Sequence, residues 1–357
     1  MKADNGLDAS GLGIALAGFA MGLVLGTRCA GSAMRAVGGR RVIRIGIPLL
    51  TLSLAMLPAA GGLASLAISL SIIGLASGLL DVTMNAEAVE VERALDRRVM
   101  SWLHGTWSVA VLLGAGAAAV AIALGFSLEV SLPFAAAFLI IASYPILRWL
   151  PERVAPDGAS ADGGDAESGA IRKRRVVALC AIAAASFLSE GVAIEWSALL
   201  LREGMGAGAT TAGLGVVAFS AGMAVSRFVG DRAAERFGER VLVRLGPAAG
   251  ALALAGSLAV GSPTITIIAF TLLGLGLGSV VPSAFRAAGA LRSAPGRSAL
   301  AIVVTSGYVG SIAGPLVLGL TADRFGLRIA FAIPVAASLT ASLAAGAVTK
   351  PESSEVG

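Results

Sequence analysis

Long apolar runs separated by short polar loops make up most of the chain. A helix needs about 20 mostly apolar residues to cross a bilayer. Runs of that kind recur along the sequence and predict eleven membrane-spanning helices. In order, the runs are Ala9–Thr27, Ile45–Leu80 (two helices), Val99–Leu128, Val130–Leu147, Val176–Leu201, Gly204–Ser226, Leu245–Phe285 (two helices), Ser298–Ala322 and Ile329–Thr349. The pattern therefore predicts an all-α, polytopic membrane protein.

One polar stretch interrupts this pattern. Residues 151–175 are rich in Gly, Ala and Asp and lack apolar periodicity, which is typical of a flexible linker. The stretch predicts an N-terminal bundle of five helices (1–150), a linker (151–175) and a C-terminal bundle of six helices (176–357). A helical bundle on each side of a linker is a common plan in transporters.

Composition agrees with a membrane protein. Of the 357 residues, 56% are hydrophobic and 14% are charged, against about 25% charged in a typical soluble domain. The net charge of +5 does not indicate nucleic-acid binding, because the basic residues lie in loops between apolar runs. All but four of the 27 Lys and Arg residues fall in one set of alternate loops; the four are Lys2, Arg202, Arg324 and Arg328. By the positive-inside rule, the linker and the C-terminus are expected in the cytoplasm.

The two halves contain matching loop sequences. Arg28-x-x-Gly31 is followed by Gly38-x-Arg40-x-x-x-Arg44, and the second half has Arg227-x-x-Gly230 followed by Gly238-x-Arg240-x-x-x-Arg244. One extra residue separates the two blocks in the second half. A repeated half predicts a secondary transporter with its site near the bilayer midplane. A simple positive-inside anchor remains the alternative for any single loop.

These loops resemble the signature turn of the major facilitator superfamily, Gly-x-x-x-Asp-Arg-x-Gly-Arg-Arg. In the first copy Gly31, Gly38, Arg40 and Arg41 fit, whereas Arg35 and Ala36 stand where the family has Asp-Arg. The second copy keeps Gly230, Asp231, Arg232, Arg236, Gly238 and Arg240. A third similar stretch, Gly319–Gly326, is interpreted as coincidence or the remnant of a repeat. The resemblance implies that the two loops act as conformational switches.

Residues 79–108 and 190–203 resemble the bacterial branch of this superfamily near the fucose-permease-like proteins. The resemblance implies two pseudo-repeated helical bundles, a bacterial inner membrane, and proton-coupled alternating-access transport of a small solute. The family has twelve helices, and the repeat register implies that this sequence lacks the first. A truncated relative that does not transport, retained as a sensor or degenerate, is therefore the alternative.

Ionisable side chains inside the apolar runs are candidates for function, because each costs about 2.5–3.5 kcal/mol to insert. Asp81 and Asn85 share a helix face and are candidates for substrate binding or proton coupling. A structural carboxylate paired with an Arg or with His104 is the alternative for Asp81. Glu190 lies deepest in its run and is the first candidate for a proton- or cation-sensitive carboxylate. Glu87, Glu90 and Glu92 are expected in a solvated loop.

Three further residues complete the candidate site. Glu195 and Trp196 lie near the outer end of the same run as Glu190, where an interfacial anchor is the alternative for the tryptophan. His104 is the single histidine, and a proton relay or a hydrogen-bonded packing role is equally open to it.

The sequence predicts no enzyme, metal site or cofactor. No cluster of metal-ligand residues accompanies His104, and no Walker motif is present. The glycines of Gly18-x3-Gly22-x3-Gly26, Gly74-x3-Gly78 and Gly310-x3-Gly314 predict helix-packing faces. Gly274-x-Gly276-x-Gly278 lies inside an apolar run, so nucleotide binding is rejected. The expected partners are a small-molecule substrate, protons and the lipid bilayer, without nucleic acid, and the expected state is a monomer.

Overall fold

A computed structural model of the chain describes residues 9–149, 169–291 and 298–349, and every regular element in these ranges is helical. The N-terminal helices are α1 (Ala9–Val37), α2 (Gly39–Met56), α3 (Leu63–Leu95), α4 (Met100–Ala123) and α5 (Leu128–Trp149). The C-terminal helices are α6 (Gly169–Leu199), α7 (Ala209–Phe237), α8 (Glu239–Val260), α9 (Pro263–Leu277), α10 (Val280–Ala290), α11 (Ala299–Phe325), α12 (Leu327–Ala330) and α13 (Ala332–Leu343). A π-turn, Leu200–Gly204, extends α6, and 3₁₀ turns follow α2 and α13.

The predicted all-α membrane fold is confirmed. Nine helical stretches in the described ranges are long and apolar enough to cross a membrane. Two of them join neighbouring helices: α9 with α10 in Pro263–Ala290, and α12 with α13 in Leu327–Val348. The remaining two rods, α1 and α4, have 29 and 24 residues, and 24 residues extend about 36 Å at 1.5 Å per residue. Each of the eleven predicted membrane-spanning helices therefore corresponds to a helical stretch in the described ranges.

Several helices extend beyond the charge-free runs that predicted them. α1 continues to Val37 and α3 continues to Leu95. Arg28 and Arg227, which the sequence placed in loops, consequently lie inside α1 and α7. Residues 151–168 of the predicted linker lie outside the described ranges, and residues 169–175 form the first turns of α6.

The repeated turns share one backbone conformation. Gly38 has φ 81° and ψ 149°, and Gly238 has φ 83° and ψ 143°. Each glycine joins two helices directly, and only glycine adopts this region of φ and ψ readily. Gly326, which ends the third similar stretch, has φ 84° and ψ 158° and joins α11 to α12 in the same way. That stretch is therefore a structural repeat and not a coincidence of sequence.

The glycine faces on α1 and α3 bring the two helices into backbone contact. A Cβ added at Gly22 would collide with the carbonyl oxygen of Ser71, and one at Gly74 with the carbonyl oxygen of Phe19. A Cβ added at Gly18, Gly26 or Gly78 would likewise lie 2.2–2.7 Å from a carbonyl oxygen of the facing helix. Small residues allow such close approach in lipid, where apolar burial drives association only weakly. The predicted packing face is confirmed here.

The same device recurs in the second half. Gly310 of α11 packs on the backbone of Ala184 in α6, and Gly314 packs on Leu188. Gly274, Gly276 and Gly278 are occupied by close contacts with α7 and α8, as expected of packing glycines. Glycines thus allow close approach between helices in both halves of the chain.

The chain divides into two compact units. One comprises Met1–Glu87, Ala110–Ala166 and Ser293–Ile302, and the other comprises Ala88–Val109, Glu167–Arg292 and Val303–Gly357. Because α3 and α4 change unit along their length, the division does not follow chain order alone. The predicted domain boundaries at 150 and 176 stay a prediction.

Candidate functional site

An arginine on α10, Arg286, whose side chain is 15% exposed, binds three carboxylates within the second unit. Arg286 donates from Nε to Glu92 Oε2 at 2.6 Å and from Nη2 to Glu92 Oε1 at 2.7 Å. Its Nη2 also donates to Asp231 Oδ1 at 2.9 Å, and its Nη1 donates to Glu239. Arg98 Nη1 lies 3.1 Å from Glu239 Oε1. We call Glu92, Arg98, Asp231, Glu239 and Arg286 the α4-cap cluster.

Two of these carboxylates hold the beginning of α4. Glu92 accepts hydrogen bonds from the amides of Val99 and Met100 at 2.7 and 2.8 Å. Asp231 accepts from the amides of Ser101 and Trp102 at 3.2 and 2.9 Å. The first amides of a helix lack partners within the helix, and its positive end favours anions. Two side chains from distant parts of the sequence therefore cap α4.

Glycines make this arrangement sterically possible. A Cβ at Gly230, the residue before Asp231, would meet the hydroxyls of Ser279 and Ser101, the latter at 3.1 Å. One at Gly105 would meet the ring of Phe228 at 3.0 Å. The absence of side chains at both positions allows α4 and α7 to lie close together, which brings Asp231 within reach of the α4 backbone.

The charges of the α4-cap cluster depend on one another. Glu92, Asp231 and Glu239 are 8%, 7% and 7% exposed, so none of them is stabilised by bulk water. An ion removed from water costs several kcal/mol unless counter-charges and hydrogen bonds replace its hydration. Arg286 and Arg98 provide the counter-charges, and the α4 amides provide the remaining hydrogen bonds.

Sequence reasoning found only part of this cluster. Asp231 was predicted from its place in the loop, but Glu239 and Arg286 were missed. Glu92 was expected in a solvated loop, which is wrong because α3 continues to Leu95 and buries it. One signal was available: Glu239 directly follows Gly238, at the position where the first copy has Gly39.

A second polar group lies deep in the apolar helices of this unit. Glu190 is 18 residues from the start and 14 from the end of the span Arg172–Gly204. Its carboxylate faces Arg227 of α7, with Nη2 3.4 Å from Oε1 and 3.5 Å from Oε2. Arg227 Nη1 donates to Ser108 of α4 at 2.6 Å. The predicted Glu190 thus has a partner that the sequence analysis had placed in a loop.

His104 lies one turn before Ser108 on α4. Its Nδ1 is 3.0 Å from the carbonyl oxygen of Met100, and its ring meets Phe285 edge-on with centroids 6.0 Å apart. Ser108 Oγ donates to the carbonyl oxygen of His104 at 3.1 Å. These contacts fit a hydrogen-bonded packing role.

The other candidates are dispersed. Asn85 donates to the Asp81 carboxylate at 3.1 Å and to its carbonyl oxygen at 2.8 Å, so the predicted pair is present on α3. Glu195 is exposed on α6, and the ring of Trp196 lies against Gly319, where an added Cβ would be 3.2 Å away. Neither of the last two shares the contacts of Glu190.

The first repeated loop holds a different set of partners. Arg40 Nη2 donates to the carbonyl oxygen of Arg148 at 3.4 Å, and Arg44 Nε donates to that of Leu147 at 2.9 Å. Both acceptors belong to the last turn of α5. The remaining predicted loop residues are half-buried (Gly31) or exposed (Arg41, Arg232, Arg236 and Arg240).

Comparison with known proteins identifies the family. Residues 178–356 match the profile of the Major Facilitator Superfamily. A protein of Yersinia pestis, described as an uncharacterised MFS-type transporter, is 31% identical over 349 residues, which cover 98% of this chain and 89% of that protein. The chain belongs to the major facilitator superfamily. The family and the fold are those of a multi-pass membrane transporter and not of an enzyme.

Solved members of the superfamily share the fold across the described helices. The fucose:proton symporter of E. coli is similar with a TM-score of 0.73 and 16% identity, covering 96% of this chain and 92% of that one. The proton:xylose symporter is similar with a TM-score of 0.75 and 15% identity, covering 96% of this chain and 87% of that one. The resemblance to fucose-permease-like proteins is confirmed.

Proposed function

We propose that this transporter moves a small solute by alternating access and couples the movement to protons. The observation that carries the coupling is the Glu190–Arg227 pair. A carboxylate in the middle of an apolar span is costly to keep charged, and the contact of Glu190 with Arg227 is long, at 3.4 Å. A carboxylate that faces an arginine near the middle of a span lies where transporters place their substrate and coupling-ion sites.

The solved structures that share the fold support the same proposal. The fucose:proton symporter and the proton:xylose symporter each couple a sugar to protons. At 16% and 15% identity these two structures establish a shared fold, and the solute of this chain is part of the proposal. A small polar molecule fits the general location of transporter sites near the bilayer midplane.

The α4-cap cluster would act as the conformational switch. It joins the end of α3, the start of α4, the α7–α8 turn and α10 through side chains that satisfy one another. Packed charge networks have discrete arrangements, so breaking one is an all-or-none event suited to switching between two states. In this proposal the intact cluster marks one state of the transport cycle, and separation of Asp231 from α4 marks the other.

We further propose a bacterial inner-membrane location with the C-terminus in the cytoplasm, and a monomer as the working form. The asymmetric distribution of Lys and Arg supports this orientation. A C-terminal alkaline phosphatase fusion should be inactive and a C-terminal green fluorescent protein fusion should fluoresce. The reverse result would overturn the orientation.

Proteoliposomes test the transport proposal. The purified full chain is reconstituted with a pH-sensitive dye inside the vesicles, and a panel of sugars, polyols and organic acids is added outside. At least one solute should acidify the interior, and an inward proton gradient should drive its accumulation. Glu190→Gln should reduce gradient-driven accumulation at least about tenfold while solute exchange between two filled compartments persists.

A matched control uses another carboxylate of the same helical span. Glu203 is exposed in the π-turn that ends α6, so Glu203→Gln should transport like the wild type. Unchanged uptake and pH dependence in Glu190→Gln would refute the coupling role. A folded protein that is inert to the whole panel would favour the non-transporting alternative.

A further inference from the structure

Arg227 has an incompletely satisfied guanidinium group. The residue is 5% exposed and lies 17 residues from the start and 10 from the end of the span Thr210–Phe237. Nη1 donates to Ser108 at 2.6 Å, whereas Nη2 reaches the two oxygens of Glu190 only at 3.4 and 3.5 Å. Nε is buried and has no acceptor in the part of the chain that the structure describes.

In Arg286 the Nε–Nη2 edge of the guanidinium group is fully paired with a carboxylate. There Nε and Nη2 bind the two oxygens of Glu92 at 2.6 and 2.7 Å. Planar bidentate pairing of this kind is the strongest hydrogen-bonded arrangement that arginine forms with a carboxylate. On Arg227 the corresponding edge has one distant carboxylate beside Nη2 and none at Nε.

The surroundings of that edge suit a ligand. An arginine within an apolar span is normally paired, because its charge is costly in the bilayer. The Glu190 side chain is 18% exposed, and Trp107, whose ring centroid is 6.0 Å from the Arg227 Cζ, is 58% exposed. The Arg227 guanidinium group is therefore bordered by one charged and one aromatic side chain, and both of these are partly exposed.

We propose that the Nε–Nη2 edge of Arg227 binds the carboxylate of a small organic acid, with Glu190 as the internal competitor for that edge. The inference rests on the proposed function, because it names the chemical class of the solute. A purely structural ion pair makes the opposite prediction for Glu190→Gln: it weakens the fold and adds no binding of carboxylates.

Ligand-induced stabilisation tests the site without requiring transport. The purified full chain in detergent is heated in increasing concentrations of sodium formate, acetate, pyruvate and D-glucuronate. Sodium chloride at equal ionic strength controls for salt, and D-glucose controls for the sugar ring without its carboxylate. At least one carboxylate should raise the melting temperature saturably, because a ligand that binds only the folded state stabilises it.

The variants separate ligand binding from structural pairing. Glu190→Gln should tighten carboxylate binding by at least about fivefold, because a like charge beside the ligand is removed. Arg227→Lys should weaken it about tenfold, because lysine cannot form the bidentate pair. The neutral double variant Arg227→Gln/Glu190→Gln avoids an unpaired charge and should show no carboxylate effect, whereas the exposed control Arg202→Gln should bind like the wild type.

Two results would overturn the inference: no saturable carboxylate effect in the wild type, or an effect that persists in the double variant. These failures differ from a failure of the transport proposal. Transport of a neutral solute without carboxylate stabilisation removes only the substrate class. Carboxylate stabilisation in a protein that moves none of the panel leaves the site in place and removes the transport function.

Discussion

The turns at Gly38 and Gly238 have the same backbone conformation, but charged side chains near them contact helix ends of opposite polarity. The first uses Arg40 and Arg44 to donate to carbonyl oxygens at the end of α5. The second uses Asp231 to accept from amides at the beginning of α4. Each matches the sign of the helix end that it meets.

The difference extends to burial. Arg40 and Arg44 are half-buried, whereas Asp231 is buried and belongs to a network whose other two carboxylates are also buried. A half-buried charge keeps part of its hydration, so its loss costs little. A buried charge is balanced only by its neighbours. The comparison teaches that the same turn supports weak, partly solvated hydrogen bonds in one half and a buried, charge-dependent contact in the other.

The largest expected effect comes from removing Arg286, the central cation of the α4-cap cluster to which Asp231 belongs. Arg286→Met leaves three buried carboxylates with only Arg98 to balance them, and should cost about 3–5 kcal/mol. Thermal unfolding of the purified variant in detergent measures the loss. A decrease as small as that of the first-turn variant Arg44→Met would contradict the proposed contrast.

Next comes the shared backbone. Gly38→Ala and Gly238→Ala should each cost about 1–3 kcal/mol, because a Cβ strains this region of φ and ψ. No atom lies within 4 Å of an added Cβ at either site, so the cost is conformational and should be equal. Gly256 in α8 also has open space, and Gly256→Ala should be neutral or stabilising. Unequal losses at the two turns would refute their equivalence.

The helix cap itself should have a smaller effect. Asp231→Asn keeps the side-chain shape but removes the charge opposite the α4 amides and Arg286, and should cost about 1–2 kcal/mol. The matching position after Gly31 is Ser32, which is exposed. Ser32→Ala should change the melting temperature negligibly, and a loss equal to that of Asp231→Asn would remove the distinction between the copies.

The smallest expected effect belongs to the arginines of the first turn. Arg44→Gln removes a 2.9 Å hydrogen bond to the end of α5 and should cost about 0.5–1 kcal/mol. Arg244 occupies the repeated position and is exposed, so Arg244→Gln should stay within about 0.5 kcal/mol of the wild type. Equal losses in these two variants would show that the hydrogen bond to Leu147 does not contribute.

Local sequence signals predicted the helices well and the charge network poorly. Apolar run length and glycine spacing are properties of neighbouring residues, so the eleven rods and the α1–α3 packing face were accessible. Glu92 and Arg286 are 194 residues apart, and nothing local indicates that they meet. The same reason hid the Arg227 partner of Glu190. Charged residues at the ends of apolar runs were assigned to loops, because the helices continue beyond the apolar runs that predicted them.

The glycine turn at Gly326 has a consequence for engineering. Three spans, α8, α9 with α10, and α11, separate it from Gly238, so the two turns face opposite aqueous compartments. In both, an arginine lies over the adjacent phenylalanine ring, with distances of 5.5 and 5.8 Å. A helical hairpin with the same glycine turn on both sides of the membrane does not depend on which aqueous compartment it faces. The same turn could therefore connect antiparallel spans on either side of the membrane in designed membrane proteins.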